Sequence, residues 1–445
     1  MDECDVDPAS YSWNHRKGPE VSSDLHILDE LEWRGLIAHS TDLDALRAEL
    51  SEGMVKLYCG FDPTAPSLHM GNLLQILTLR RFQDAGHKPY GLVGGATGMI
   101  GDPKETGERQ MNSLDTVRQW SANVRGQLER FLAFEGPNAA QVVNNYDWTA
   151  GLSTIEFLRD IGKHFPVNKM LHREVVRSRL EIGISYTEFS YVLLQSMDYL
   201  NLHRDFGVTL QTGGSDQWGN ITAGADLIRR VEGAHVNALA TPLVTKADGT
   251  KFGKTESGTV WLDASMTSPY AFYQFWLNTD DRDVVELLRY YTFRTREEIE
   301  DLDQQTREKP FLRAAQRALA DDVTTLVHGA EETERIKAAA AALFGGGELT
   351  DLSPATLGAA LREAGAVQVE RGVGMPTVVD LLVETGLVAS KGAARRTIAE
   401  GGAYLNNRRV EDPDLVPADE DLIGGAWLVL RRGKKNLAGV EAVDH

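Results

Sequence analysis

Cysteine is nearly absent. The 445 residues hold two, Cys4 and Cys59, far apart and without a CxxC or a histidine at metal-ligand spacing, so neither a disulfide framework nor a structural zinc site has support. Cys59 reads as a reduced, packed thiol. Long apolar runs are also missing. Nowhere do the roughly 18 uninterrupted apolar residues of a membrane span occur, and the first twenty residues are polar and acidic instead of basic and then apolar. The expectation is a cytoplasmic protein with no membrane partner. Basic residues are in deficit, 46 Lys and Arg against 65 Asp and Glu, for a formal charge of -19. Such a charge repels polyanions at long range. Phosphate-binding loops of the common kinds are absent as well. The run Gly94-Gly95-Ala96-Thr97-Gly98 has no Lys-Ser/Thr pair, and Gly253-Lys254-Thr255 has Asp248 where a Walker loop needs its first glycine. No GxGxxG follows the first strand, which removes the main support for a dinucleotide enzyme.

What is present fits a folded multidomain chain. Hydrophobic residues make up 42% and charged residues 25%, ordinary for a globular protein, and at roughly 150 residues per domain the length implies two to four domains. The first 24 residues lack apolar periodicity and read as a mobile extension. Val55 to Gly60 reads as a strand, Phe61 to Ser67 as a loop with two prolines, and Met70 to Ala85 as a helix. Further alternation through Tyr90 to Val93, Val142-Val143, a helix from Thr187 and a strand near Val208 predicts a Rossmann-like parallel-sheet α/β domain over 25–265. Ligands then belong at the strand C-termini. A helical domain is expected over 266–343, a linker over 344–375 and a small α+β module over 376–440. Charge is distributed unevenly. From Met375 to Asn436 nine Lys or Arg balance nine Asp or Glu, so this neutral stretch with its arginine pairs could meet RNA while the rest of the chain repels non-specific contacts.

At the first strand–helix junction stands His69-Met70-Gly71-Asn72, where the free N–H groups of a helix N-terminus can meet an anion. Gly71, lacking a Cβ, lets a flat purine approach the backbone. Much later, Lys251-Phe252-Gly253-Lys254-Thr255 sets two cations around a glycine, suited to a triphosphate. Singly, a histidine at a helix start is more often a cap, and a KxxK loop more often a solvated surface. In combination they resemble HIGH and KMSKS, the signatures of class I aminoacyl-tRNA synthetases. The segments Leu57 to Thr64, Gly94 to Thr97 with Gly101-Asp102-Pro103, Tyr191 to Gln195 with Asp198, and Gly213 to Asn220 resemble, in order, the motifs of the bacterial tyrosyl branch. Asn72 departs from HIGH, whose fourth residue is histidine, although an amide still offers a donor and an acceptor.

The resemblance implies an ATP-dependent tyrosine–tRNA ligase with L-tyrosine, ATP and tyrosine tRNA as partners. Its residue roles, carried over position by position, place Tyr58 and Asp198 at the phenolic hydroxyl. Tyr191, Gln195 and Asp102 then hold the α-amino group, with Gln217 near the carboxylate. Cys59, Asp216 and Asn72 fall at the ATP ribose, Gly71 beneath the base, and Thr64, His69, Lys251 and Lys254 at the phosphates. Mg²⁺ is expected to arrive with ATP. The C-terminal module resembles an S4 RNA-binding domain, with Arg395 and Arg396 facing RNA, and the family pattern implies a homodimer. The alternatives are a tryptophanyl-tRNA synthetase and a non-catalytic RNA-binding regulator on a synthetase fold.

Overall fold

The structure, a computed structural model, describes residues 25–103, 111–247, 249–250, 252–255, 258–343, 349–371, 374–433 and 436–443. The expected extension over 1–24 lies outside them. Packing divides the chain into two compact units, one running to Asp263 and including Asp280–Ala315, the other made of Ala264–Thr279 and Gln316–His445.

The first unit is built on a six-stranded sheet: β1 (His39–Ser40), β2 (Lys56–Phe61), β3 (Lys88–Val93), β4 (Gln141–Asn144), β5 (Leu210–Gly214) and β6 (Asn237–Thr241), in the order β1-β6-β5-β2-β3-β4. Only β1 is antiparallel to its neighbour. Leu57, Tyr58, Cys59 and Phe61 of β2 are all buried, a near-continuous apolar run of the kind a strand covered on both faces requires. Helix α1 (Ile27–Arg34) precedes the sheet; α2 (Met70–Asp84) connects β2 to β3, α3 (Leu114–Phe131) precedes β4, α4 (Tyr186–Phe206) precedes β5, and α5 (Trp218–Glu232) connects β5 to β6. The chain leaves β2 toward one edge of the sheet and β5 toward the other. Between their C-terminal ends lies the switch point at which parallel α/β sheets open a crevice.

The segment Asp280–Ala315 belongs to this unit through two buried arginines. Arg34 donates to the carbonyls of Arg289 at 2.8 Å and Arg294 at 2.8 Å, and Arg81 of α2 donates to those of Tyr290 at 3.2 Å and Thr292 at 2.7 Å. The carbonyls of Arg289, Tyr290 and Thr292 belong to the last turn and C-cap of the helix Val284–Tyr291, where carbonyls have no intrahelical donors and cations are favoured; that of Arg294 follows just beyond it. The helical stretch expected over 266–343 is therefore divided between the two units.

The second unit contains the helices Pro269–Leu277, Ala330–Leu343, Pro354–Glu363, Val378–Glu384 and Lys391–Ala399 and a five-stranded sheet. Val378, Leu381, Leu382, Ala394, Ile398, Leu428 and Leu430 share one core. The stretch 344–375, expected as a linker, contributes the helix Pro354–Glu363 and the strand Val367–Glu370, which pairs in parallel with Asn436–Val443. Strand Ala403–Leu405 turns into Arg408–Arg409 through Asn406 and Asn407, at φ 48° and 63°, the left-handed pair that a two-residue hairpin favours.

Candidate active site

Tyr58 is 1% exposed on β2, its ring 5.3 Å from that of Tyr199, and its hydroxyl makes no hydrogen bond among the described residues. Burial, reinforced by the charge of Asp198, holds its pKa well above the ordinary tyrosine value. Asp198, 2% exposed, lies on α4. Its two carboxylate oxygens accept from Asn145 Nδ2 at 3.0 Å and Trp148 Nε1 at 2.9 Å. Burial raises the Asp198 pKa to about 7 against the opposing pull of those two hydrogen bonds. A buried phenol and a buried carboxylate therefore lie within electrostatic reach of each other.

The same α4 face carries Tyr191 and Gln195, spaced by one turn from each other and close to Asp198. Tyr191 donates its hydroxyl to Asp62 Oδ2 at 2.7 Å. Thr97 Oγ1 donates to the other oxygen of Asp62 at 2.6 Å, and Asn145 Nδ2, which also serves Asp198, donates to Thr97 Oγ1 at 2.9 Å. Gly94 makes this possible, since a Cβ there would sit 1.9 Å from Asp62 Oδ1. No role was expected for Asp62, Thr97, Asn145 or Trp148. The available signal was weak: Asn145 is a fully buried amide directly after a strand, and buried amides need partners.

Asp102 stands beside this network. Gln217 Nε2 donates to it at 2.8 Å and Asn220 Nδ2 at 3.2 Å, while Asn220 Nδ2 also lies 2.9 Å from Gln217 Oε1. Arg173 donates to Asn220 Oδ1, which fixes the orientation of that amide. Gln195 is half-buried on α4.

The start of α2 forms the other wall. His69 is the N-cap: its Nδ1 accepts from Gly71 N–H at 3.1 Å, and Asn72 Oδ1 accepts from His69 N–H at 3.1 Å. Asn72 thus spends its carbonyl on capping and keeps its amide N–H groups for any ribose contact. Burial and then the charge of Lys254 lower the His69 pKa, leaving a neutral imidazole near pH 7. Its backbone bridges to Trp261. Thr64 and Asp216 are exposed, Asp216 in the turn Ser215–Gln217 after β5. Cys59 is buried, its thiol pushed up to about 12 by burial, a packed neutral thiol. Lys254 is exposed and opens a short ribbon, Lys254–Thr255 with Gly258–Thr259. Lys251 lies outside the described residues. The expected RNA contacts, Arg395 and Arg396, belong to the second unit, exposed on the helix Lys391–Ala399, with Arg395 paired to Asp414 at 3.1 Å.

Comparison with known proteins identifies the family of the chain. A sequence model of the family "tRNA synthetases class I (W and Y)" matches residues 50–345, and one of the "Tyrosine--tRNA ligase SYY-like C-terminal domain" matches residues 361–440. A tyrosine–tRNA ligase of Streptomyces avermitilis is 65% identical over 418 residues, covering 93% of this chain and 98% of the relative. The Streptomyces coelicolor tyrosine–tRNA ligase is 65% identical over the same shares. Among solved structures, a C-terminally truncated mitochondrial tyrosyl-tRNA synthetase of Coccidioides posadasii superposes with a TM-score of 0.63 at 33% identity, over 71% of this chain and 92% of that one. The tryptophanyl alternative is not favoured by relatives of this identity. The chain belongs to the tyrosine–tRNA ligase family of class I tRNA synthetases.

Proposed function

We propose that the crevice at the ends of β2 and β5 is where this ligase joins tyrosine to ATP, before transferring it to the 3′-terminal ribose of its tRNA. The observation that carries the reading is the pairing of a buried, unbonded Tyr58 hydroxyl with the buried Asp198 carboxylate. A phenolic substrate donates to Asp198 and satisfies Tyr58. Phenylalanine would leave the Tyr58 hydroxyl unpaired, at a cost of about 1–3 kcal/mol for a buried group, and would give Asp198 no donor beyond Asn145 and Trp148.

The other residues fall into place by hydrogen-bond sense. Tyr191 gives its proton to Asp62, so its oxygen is left to accept from the substrate's α-ammonium. Asp102 accepts from two amides and has further lone pairs for the same group, beside Gln195. Gln217 has a second amide proton for the carboxylate. A carboxylate oxygen of tyrosine then attacks the α-phosphorus of ATP, the bond to the bridging oxygen breaks, and pyrophosphate leaves. In the second step the tRNA ribose hydroxyl attacks the adenylate carbonyl and AMP leaves. Neither step needs a covalent nucleophile from the protein, which acts by positioning and by stabilising charge. His69, Thr64, Lys251 and Lys254 serve the phosphates, and Gly71, Asn72, Cys59 and Asp216 the nucleoside.

Among the described residues no three His, Cys, Asp or Glu side chains converge as metal ligands. The Mg²⁺ of this reaction is read as travelling on ATP with its waters. Arg395 and Arg396 support RNA contact by the C-terminal module. Ile155, Leu158, Val167, Ile182 and Tyr186 are exposed large apolar or aromatic side chains from a single stretch of the first unit, which supports a homodimer, since such clusters mark protein interfaces. No described helix is long and apolar enough to cross a membrane, and the cytoplasm is the compartment this reading takes. ATP–pyrophosphate exchange with each amino acid tests the reaction: exchange with tyrosine supports it, and exchange driven only by tryptophan, or by none, contradicts it.

A further inference from the structure

Tyr291 ends the helix Val284–Tyr291 and is fully buried. Its hydroxyl donates to the backbone carbonyl of Met70 at 3.2 Å, and Met70 is the first residue of α2, directly after His69. Its ring lies 5.9 Å from that of Phe252, tilted by 34°, within the range at which aromatic pairs attract. One side chain therefore touches both the turn behind His69 and the segment that leads into Lys254. The backbone between them is close-packed as well. Gly253 has φ 83°, and a Cβ there would meet Met70 Cβ at 3.0 Å.

We infer that Tyr291 is a positioning residue of the activation step, holding the segment Phe252–Lys254 against the helix turn that presents His69. The inference rests on the roles proposed above for His69 and Lys254. Tyr291 is well placed for it, because its own helix is anchored to α1 and α2 by Arg34 and Arg81. The His69 imidazole already feels the charge of Lys254, after the larger effect of burial. Lysine is a compact charge on a flexible stem. The backbone from which that stem rises decides whether it reaches the leaving phosphates, and a misplacement of about 1 Å can cost about a hundredfold in rate.

The test uses the full chain and single-turnover formation of the tyrosyl-adenylate. Tyr291→Phe keeps the ring contact and loses the bond to Met70; Tyr291→Leu loses both. Tyr291→Leu is expected to lower the first-order rate about tenfold or more while the tyrosine dissociation constant stays within about twofold, with Tyr291→Phe intermediate. Phe252→Leu removes the ring pair from its half-buried side and should give the same pattern, without multiplying the effect of Tyr291→Leu. In a Lys254→Ala background, Tyr291→Leu should cause almost no further loss.

An equal loss with and without Lys254, a normal rate in Tyr291→Leu, or a tyrosine dissociation constant that rises as much as the rate falls would each overturn the inference. A normal activation rate in Lys254→Ala alone removes the assigned role of that lysine, and the inference with it. An impaired Lys254→Ala whose effect simply multiplies with that of Tyr291→Leu removes the inference and leaves the role standing.

Discussion

Trp148 donates its indole N–H to Asp198 Oδ1 at 2.9 Å, and this bond, with the one from Asn145, holds a carboxylate that is charged only at the expense of its burial. The folded pKa of Asp198, about 7, lies above its ordinary 3.8.

Between those values the folded protein keeps a proton that the unfolded chain has released. The stability this proton contributes is full below the unfolded pKa and is lost as pH rises through the folded one, at no more than about 1.4 kcal/mol per pH unit. Asp198→Asn removes that titration. The difference in urea denaturation midpoint between the natural protein and Asp198→Asn should therefore change steadily between about pH 4 and pH 7, with the natural protein losing ground as pH rises. Parallel pH curves for the two would show that Asp198 does not titrate in this window.

Lys254 is expected to act on the leaving pyrophosphate. Replacing it with alanine removes a charge that matters most as the phosphate oxygens gain charge, so adenylate formation should slow by about a hundredfold, the size of one transition-state donor. The tyrosine dissociation constant should hardly move, because Tyr58, Tyr191 and Asp198 lie on other elements. Stopped-flow fluorescence separates the two quantities, and a large change in tyrosine affinity would place Lys254 elsewhere.

Arg395 and Arg396 are exposed on one helix of the second unit. Reversing both charges, Arg395→Glu with Arg396→Glu, should leave tyrosine-dependent pyrophosphate exchange unchanged. The kcat/KM for tRNA charging should fall by about tenfold or more, and its salt dependence should become shallower by about the two lost phosphate contacts. Charging that is indifferent to the double substitution would separate this helix from the RNA.

Much of the candidate site is legible in the sequence because the segments that build it are local. The β2 run, the His69 cap and the glycines after β3 each carry a signal within a few residues. The Asp62–Thr97–Asn145–Asp198 chain could not be read that way. Its links join residues 35, 48 and 53 positions apart, and nothing local to Asn145 says which carboxylate its amide will meet. The same holds for the placement of residues 280–315. Their helical periodicity is plain, but Arg34 and Arg81, which hold them to the first unit, lie more than two hundred positions away. The stretch 344–375 reads as a linker because it opens on three glycines at 345–347, and only pairing with Asn436–Val443 makes Val367–Glu370 a strand.

The most direct test of the account is the discrimination between tyrosine and phenylalanine in adenylate formation, measured as a ratio of kcat/KM for the natural protein and for Asp198→Ala. The Tyr58–Asp198 pairing predicts that the ratio falls at least about tenfold in the variant, the effect of losing one charge-assisted hydrogen bond of about 1.5–3 kcal/mol, while the KM for ATP stays nearly constant. A variant that keeps the full preference for tyrosine, or loses ATP and tyrosine together, would contradict it.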